Sequence, residues 1–244
     1  MSTPMDDRFL FKFINKLKLT FHRSITISRK QQNSKMKIPQ YLSLSLLPLT
    51  VLAAPIFPGS YGTGSVKAAA STCAPMMVIF ARGTTETGTL GTVAGPPLVA
   101  ALNTAVGANN VAVQGVPYAA DIPGFLQGGD PDGSKMMAQM VTSAITNCPT
   151  SKVVMVGYSQ GGQLVHNAAK MVPAATMAKV SSAIIFGDPD NGDAVAGVSA
   201  ANTKIICHTG DNICAHGDLI LMPHLTYGMD AGTAAAFAKT AAGM

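Results

Sequence analysis

The chain of 244 residues is poor in charged side chains and has no tryptophan. Charged residues make up 12% of it and hydrophobic residues 48%, a balance that excludes a disordered chain and favours a compact one. The length is sufficient for a substantial buried core and predicts one domain. The amino-acid sequence contains no internal repeat.

The sequence also lacks the C-x-x-C and H-x-x-H spacings that are typical of zinc sites, so we expect no metal. We expect no organic cofactor either. It has no N-x-S/T acceptor for glycosylation. The four cysteines, Cys73, Cys148, Cys207 and Cys214, are an even number and allow three pairings. A bond between Cys207 and Cys214 would close a short loop around Asp211, which leaves Cys73 to pair with Cys148.

Positive charge is concentrated at the start of the chain. Residues 1–37 carry nine lysines and arginines against two aspartates, a balance of +7 within a formal net charge of +5, which leaves −2 for the rest. The remainder therefore has no basic excess of the kind that indicates a nucleic-acid partner, and we expect none.

Residues 36–54 have the pattern of a secretory signal peptide. Lys37 supplies a positive start, and the apolar run from Tyr41 to Leu52 is too short to span a bilayer. Small residues follow just before Ala54, where cleavage is expected. The sequence therefore predicts a secreted protein without stable membrane insertion, in preference to a cytosolic protein with an apolar N-terminal helix.

The segment before this signal is unusual, because signal peptides stand at the start of a chain. We interpret residues 1–35 as a non-native or unstructured extension, with translation starting at Met36. A long basic n-region and an organelle-targeting segment are the alternatives. The Pro- and Gly-rich stretch 55–72 is expected to be a flexible mature N-terminus, and residues 73–244 the globular domain.

Short apolar runs alternate with helix-like segments through that domain. Runs that are apolar throughout are typical of parallel strands buried on both faces. We therefore predict an α/β fold, a three-layer α/β/α sandwich around a parallel sheet. The expected strands are Met76–Phe80, Val111–Val116, Val153–Val156, Ser182–Phe186 and Lys204–Ile206. The expected helices are Pro97–Val106, Lys135–Asn147, Gly162–Val172 and Gly232–Ala242, with a turn-rich stretch over Tyr118–Ser134.

The most informative motif is Gly157-Tyr158-Ser159-Gln160-Gly161, a G-x-S-x-G sequence between an expected strand and an expected helix. The turn is so tight that side chains on both sides of the serine would collide, which explains the two glycines. The serine would stand at a helix N-terminus, whose free N–H groups stabilise negative charge. This setting predicts the nucleophile of a serine hydrolase.

Such a serine needs a histidine that takes its proton and a carboxylate that orients the histidine. In α/β hydrolases the three follow in the order serine, acid, histidine. His224 fits this order, because it lies in a loop shortly before the last helix. His208, at the start of the predicted cysteine loop, and His216, just after it, are the alternatives. His166 lies on the helix after the serine, where a surface or packing role is expected.

The predicted acid is Asp211, which follows the strand Lys204–Ile206 and lies inside the cysteine loop. A loop closed by a disulfide would hold the carboxylate rigidly, as the orientation of an imidazole requires. Asp188 and Asp190 also follow a strand, but Asp-Pro and Asn-Gly sequences there favour a structural turn. Asp218 is a further alternative.

An oxyanion hole needs donors that converge on the developing negative charge. One is expected from the backbone N–H of Gln160, the residue after the nucleophile. The other is expected from the loop after the first strand, where Gly83 permits close approach and the Thr84 hydroxyl can add a donor.

Taken together, these motifs resemble the cutinase family of secreted serine esterases and the similar acetylxylan esterases. The matching stretches are Arg82–Glu86, Gly157–Gly161, Cys207–Cys214 and Pro223–Gly228. The resemblance implies a compact α/β-hydrolase fold with a five-stranded central parallel sheet. It also implies the triad Ser159, Asp211 and His224. An oxyanion hole from Thr84 and Gln160 is implied as well, and many members of the family carry a serine in place of this threonine.

Two groups of apolar side chains are expected to line the cleft and to grip an acyl chain or a polymer surface. The alternative for each is ordinary core packing. The first group is Ile122, Phe125 and Leu126, and the second is Leu219, Leu221 and Leu225.

We therefore expect a secreted, monomeric carboxylic-ester hydrolase that acts on cutin-like polyesters or on short-to-medium acyl esters. An acetylxylan esterase is the alternative enzyme, suggested by the Gly187-Asp188-Pro189 turn, although the absence of tryptophan argues mildly against a carbohydrate platform. A lipase is disfavoured, because the spacing leaves little room for a large lid. A non-catalytic cell-wall or surface-binding protein is the alternative of another class.

Overall fold

The computed structural model describes residues 73–244; the predicted extension 1–35, signal peptide 36–54 and N-terminal stretch 55–72 lie outside them. The strands are β1 (Met76–Ala81), β2 (Val111–Gly115), β3 (Lys152–Tyr158), β4 (Val180–Phe186) and β5 (Thr203–Ile206). The helices are α1 (Gly95–Val106), α2 (Ile122–Leu126), α3 (Pro131–Asn147), α4 (Gln160–Met171), α5 (Ala174–Met177) and α6 (Ala231–Ala242). Short 3₁₀ turns cover Ala108–Asn110, Ala200–Asn202, Met222–Leu225 and Tyr227–Asp230.

All five strands pair in parallel in the order β2-β1-β3-β4-β5, which confirms the predicted sheet. Side chains of β1 alternate between its two faces. Met77 and Ile79 pack with the apolar sides of α3 and α4, whereas Val78 and Phe80 pack with those of α1 and α6. Both faces of the sheet are therefore covered by helices, as the fully apolar strands predicted.

The parallel arrangement brings one set of loops to the same edge of the sheet. The segments after β1, β3, β4 and β5 all leave from the carboxyl ends of their strands. In open α/β sheets this edge is where ligands bind. The Thr84 loop, Ser159 and the loop that contains Asp211 are thus placed together although they lie far apart in the sequence.

The predicted turn-rich stretch contains more helix than expected. Helix α3 begins at Pro131, not at Lys135, because the Asp130 carboxylate caps it by accepting the Gly133 N–H at 2.6 Å. Asp121 caps the short α2 in the same way, through the N–H of Gly124 at 2.7 Å. Aspartate and proline therefore mark the starts of two helices here, although in the sequence we took them as signs of turns.

Both expected disulfides are present. Cys73–Cys148 ties the segment before β1 to the end of α3, and Cys207–Cys214 closes the loop after β5. Within residues 73–244, no helix is both long enough and apolar enough to cross a membrane.

Candidate active site

Ser159 occupies a strained turn between β3 and α4. Its backbone has φ +56° and ψ −124°, a conformation that costs a non-glycine residue about 1–3 kcal/mol. Its N–H donates to the carbonyl of Phe186 at 2.9 Å, which links the turn to the end of β4. The strain is held by the surrounding sheet and helix, and strain of this kind is concentrated at functional sites.

The two glycines of the motif are required by close backbone approach. A Cβ on Gly157 would lie 2.3 Å from the carbonyl oxygen of Gly161, and a Cβ on Gly161 would lie 2.0 Å from that of Ala81. Real side chains cannot make such contacts. Glycine is thus required in both positions, at Gly157 by the turn itself and at Gly161 by the end of β1.

His224 and Asp211 form a buried pair at the same edge of the sheet. The imidazole Nδ1 lies 2.8 Å from Asp211 Oδ2, and the two residues are 1% and 3% exposed. The opposite nitrogen, Nε2, has no hydrogen-bond partner among the described residues, and His224 lines the same cavity as Ser159. The Tyr158 ring stacks on the imidazole with centroids 5.2 Å apart, and its hydroxyl donates to the His224 carbonyl. The imidazole is therefore held on one side and open on the other.

The Asp211 carboxylate is surrounded by donors. Oδ2 accepts from the Tyr227 hydroxyl at 2.6 Å as well as facing His224, and Oδ1 accepts from the Ile213 N–H at 3.0 Å. Burial raises the pKa of Asp211, but the hydrogen bonds from Tyr227 and His224 outweigh it and hold the pKa below its ordinary value. The group is therefore a carboxylate throughout the neutral range.

The Thr84 hydroxyl is oriented by the side chain of Gln160. The Gln160 amide donates to Thr84 Oγ1 at 2.9 Å and to the carbonyl of Asp121 at 2.8 Å. Because the threonine oxygen accepts this bond, its own proton is free to donate into the cavity. The backbone N–H of Gln160 is among the first of α4, for which a helix offers no internal acceptor. Thr84 lines the same cavity as Ser159, and Gln160 follows Ser159 directly in the chain.

Glu86 shapes the loop that carries Thr84. Its two carboxylate oxygens accept the N–H groups of Gly83, Thr92 and Val93, each at 2.8 Å. The guanidinium of Arg82 adds a bond of 2.7 Å to the Glu86 carbonyl. Sequence reasoning missed this role of Glu86, although the residue stands inside the Arg82–Glu86 stretch that carries the family resemblance.

A cavity of about 620 Å³ opens above Ser159 and His224. From the first predicted apolar group, Ile122, Phe125 and Leu126 all line it. From the second group only Leu225 does, joined by Ile220. Leu219 and Leu221 are 59% and 45% exposed and lie outside the lining.

The alternation of side chains along an extended chain accounts for this difference in the second group. Asp218 and Ile220 line the cavity, whereas Leu219 and Leu221 do not. Spacing alone did not reveal which side chains of the segment face inward.

The alternative histidines have partners elsewhere. His166 is buried and its Nε2 lies 3.0 Å from Asp188, so this pair joins α4 to the loop after β4. His208 Nε2 lies 2.7 Å from Asp230, and His216 Nδ1 lies 2.8 Å from the carbonyl of Pro189. None of these three lines the cavity within the described residues.

The alternative acids are likewise not paired with His224 in the described structure. Asp188 faces His166 and accepts the N–H of Asp190 at 3.0 Å, and Asp218 lines the cavity without a bond to the imidazole. Ligand atoms of His166, Asp188 and Asp190 lie within 4.8 Å of one another. A small acidic cluster of this kind is not by itself evidence of a bound cation.

The fold and the site define a class of protein. A strained serine at the elbow between β3 and α4, an aspartate–histidine pair that faces the same cavity, and a parallel sheet beneath them are features of the serine hydrolases with an α/β-hydrolase fold.

Comparison with known proteins narrows this class. The family model "Cutinase" matches residues 72–242. The chain is 64% identical over 210 residues to a cutinase of Botryotinia fuckeliana. The aligned region covers 86% of this chain and 100% of that protein. A solved structure of a Trichoderma reesei cutinase, in complex with a phosphonate inhibitor, is similar to this chain with a TM-score of 0.67 and 47% sequence identity. The match covers 70% of this chain and 77% of the other. The chain belongs to the cutinase family and is a serine esterase.

An acetylxylan esterase structure shares the fold at a greater distance. It is 23% identical with a TM-score of 0.56 and covers 70% of this chain and 100% of the other. At this identity the likeness concerns the fold alone, and it agrees with the predicted three-layer architecture.

Proposed function

We propose that this esterase cleaves cutin-like polyesters and short-to-medium acyl esters through an acyl-enzyme on Ser159. The observation that carries the proposal is the buried Asp211–His224 pair at 2.8 Å, whose free nitrogen and Ser159 belong to one cavity. The roles follow from chemistry: Ser159 is the nucleophile, His224 the base and Asp211 the group that orients the base.

In the first half-reaction, His224 Nε2 takes the proton of the Ser159 hydroxyl as its oxygen attacks the ester carbonyl. The carbonyl oxygen gains negative charge and is stabilised by the Thr84 hydroxyl and the Gln160 N–H. The C–O bond of the ester then breaks, and the proton on Nε2 passes to the leaving alcohol. In the second half-reaction a water molecule gives a proton to Nε2 as its oxygen attacks the acyl carbonyl. The bond between the acyl carbon and Ser159 Oγ then breaks, the acid is released, and Nε2 returns the proton to the serine oxygen.

Asp211 supports both halves through its charge and its position. Its bond to Nδ1 places the proton of neutral His224 on that nitrogen, so that Nε2 can accept. The imidazolium that forms is stabilised by the adjacent carboxylate, which stays ionised because its pKa is held low.

The apolar rim of the cavity supports the choice of substrate. Ile122 and Leu126 on one side and Ile220 and Leu225 on the other are between 46% and 65% exposed. Apolar side chains at an open mouth gain free energy when an acyl chain or a hydrophobic polymer covers them. The high identity to proteins that are named cutinases supports the same substrate class.

A panel of esters tests this proposal. Rates should be measured on p-nitrophenyl acetate, butyrate, octanoate and palmitate, with cutin and acetylated xylan as polymers. We expect kcat/KM to be higher for butyrate than for acetate, together with release of acids from cutin. Activity confined to acetyl groups, with release of acetate from the xylan, would overturn the proposal in favour of an acetylxylan esterase.

We also propose that the protein is secreted and works as a monomer. Two disulfides support an oxidising compartment, because such bonds are rare in reducing ones. The predicted signal peptide lies outside the described residues. Expression of the full chain in a fungal host checks both points, since we expect mature protein in the medium that begins near Ala54 and sediments as a single chain.

The proposed oxyanion hole gives a prediction for Thr84. Thr84→Val keeps the shape of the side chain and removes the hydroxyl, so kcat should fall by about 10²–10³-fold while KM changes little. Thr84→Ser keeps the hydroxyl and should retain kcat within a few-fold. Steady-state kinetics on p-nitrophenyl butyrate measure both. Equal activity of the valine variant and the wild type would remove the threonine hydroxyl from the oxyanion hole.

A further inference from the structure

Tyr227 makes a contact with the proposed catalytic carboxylate that the triad does not require. Its hydroxyl lies 2.6 Å from Asp211 Oδ2, the same oxygen that faces His224. The tyrosine is fully buried, and Asp211 is 3% exposed. A charge-assisted hydrogen bond between buried groups is both strong and geometrically restrictive.

The direction of this hydrogen bond is fixed by the neighbouring groups. The backbone N–H of His208 donates to the Tyr227 oxygen at 3.0 Å, so the hydroxyl already serves there as acceptor. An ionised carboxylate can only accept, so the phenolic proton lies on the line to Asp211. Burial raises the pKa of Tyr227, which keeps the phenol protonated at every working pH.

The ring of Tyr227 is held as firmly as its hydroxyl. It stacks on the imidazole of His208 with centroids 4.2 Å apart, and His208 is in turn paired with Asp230. Its edge meets the ring of His224 at 5.9 Å. The tyrosine therefore spans from the loop of Asp211 to the turn that carries His224 and contacts both members of the pair.

We propose that Tyr227 is a positioning residue for ester hydrolysis, which fixes the Asp211 carboxylate in the plane that His224 needs. The proposal rests on the proposed triad. Without the tyrosine hydroxyl, Oδ2 would keep only His224 as a partner, and the carboxylate could rotate about the remaining bond from Ile213 to Oδ1.

The same bond also sets how strongly the carboxylate attracts a proton. Tyr227 withdraws negative charge from Oδ2, so its removal makes Asp211 a stronger acceptor for the Nδ1–H of His224. A stronger acceptor stabilises the imidazolium, and the coupled pair then titrates at higher pH. A side chain with a purely structural role would not change this titration.

Other titratable groups surround the pair, and two of them, Glu86 and Asp218, line the same cavity as His224. Tyr158 faces the pair from the end of β3, and His208 with Asp230 lies behind Tyr227. Burial lowers the pKa of His208, but its bonds to the Pro223 carbonyl and to Asp230 hold it above the ordinary histidine value. Because His208 is also titratable, the test below compares variants that all retain it.

The experiment compares Tyr227→Phe with site-specific replacement of Tyr227 by 3-fluorotyrosine. The phenylalanine variant keeps the ring and loses the hydroxyl, so we expect kcat/KM on p-nitrophenyl butyrate to fall about tenfold. The acid limb of its pH profile should move up by about half a pH unit. Fluorotyrosine is a stronger donor and should move that limb down. Opposite shifts in the two variants are the result that supports the proposal.

A matched control is Tyr158→Phe, which also removes a buried tyrosine hydroxyl beside the imidazole but one that bonds the His224 carbonyl. Its acid limb should stay at the wild-type pH. If neither change at Tyr227 moves the limb, the proposal is wrong, and the fluorotyrosine variant decides this even if Tyr227→Phe does not fold. Full activity of Asp211→Asn would instead show that the triad itself is wrong.

Discussion

Replacing Ser159 with alanine should lower kcat/KM for p-nitrophenyl butyrate by about 10⁶-fold, the scale on which serine hydrolases depend on their nucleophile. The residual rate would come from the oxyanion donors and from binding alone. The serine hydroxyl makes no hydrogen bond within the described residues, so the variant should fold with unchanged stability. Both residues have a Cβ, so the strain at φ +56° is the same in the variant.

The chain offers a close control in Ser182. This serine is also fully buried, lies on β4 and has a hydroxyl without a hydrogen-bond partner among the described residues. Ser182→Ala should keep full activity, and one equivalent of an organophosphonate should label it as it labels the wild type. Ser159→Ala should not be labelled. Labelling of that variant at another residue, or activity near the wild-type level, would disprove the assignment of the nucleophile.

The sheet could be predicted from the sequence because its central strands β1, β3 and β4 are buried on both faces. Val153–Val156 is apolar throughout, and the structure extends that strand only to Lys152 and Tyr158. Helix starts were harder to place. Asp130 and Pro131 carry a capping signal, but the same residue types are also typical of turns, and only packing against α4 decides between the two.

The residues of the site also differ in whether a local motif or a contact between distant parts of the chain determines their geometry. Ser159 and its glycines form one continuous motif, so a steric argument was enough to predict their geometry. Asp211 and His224 needed the order of residues and a loop closed by cysteines. The bond of Tyr227 to Asp211 joins two segments whose proximity is a product of tertiary packing. The bond of Glu86 to Val93 closes an irregular loop. The sequence offers no periodicity that predicts such contacts.

Asp211→Asn should lower kcat at neutral pH by about 10⁴-fold, with less effect on KM. The structure gives the reason, because the two carboxylate oxygens face different donors. If the amide oxygen of asparagine takes the place of Oδ1 beside the Ile213 N–H, its NH₂ group faces His224 Nδ1. That nitrogen must then accept, so the ring proton moves to Nε2, where it blocks proton transfer from Ser159. In the reverse orientation of the asparagine amide, its NH₂ group faces the Ile213 N–H, so two donors oppose each other.

The same variant has a stability signature that depends on pH. Because the folded-state pKa of Asp211 lies below its ordinary value, its charge stabilises the folded protein above about pH 4, and this contribution is lost as the pH falls through the lowered pKa. Urea unfolding should therefore show Asp211→Asn to be less stable than the wild type at pH 7, with a smaller difference near pH 3.

Asp132→Asn is the matched control for both measurements. Asp132 is exposed on the first turn of α3 and pairs only with Lys135 at 3.2 Å, so the same chemical change there should alter neither kcat nor the pH dependence of unfolding by much. A difference in stability between Asp211→Asn and the wild type that grows toward acid would mean that the carboxylate is strained in the folded protein. The orienting role assigned to its three donors would then be wrong.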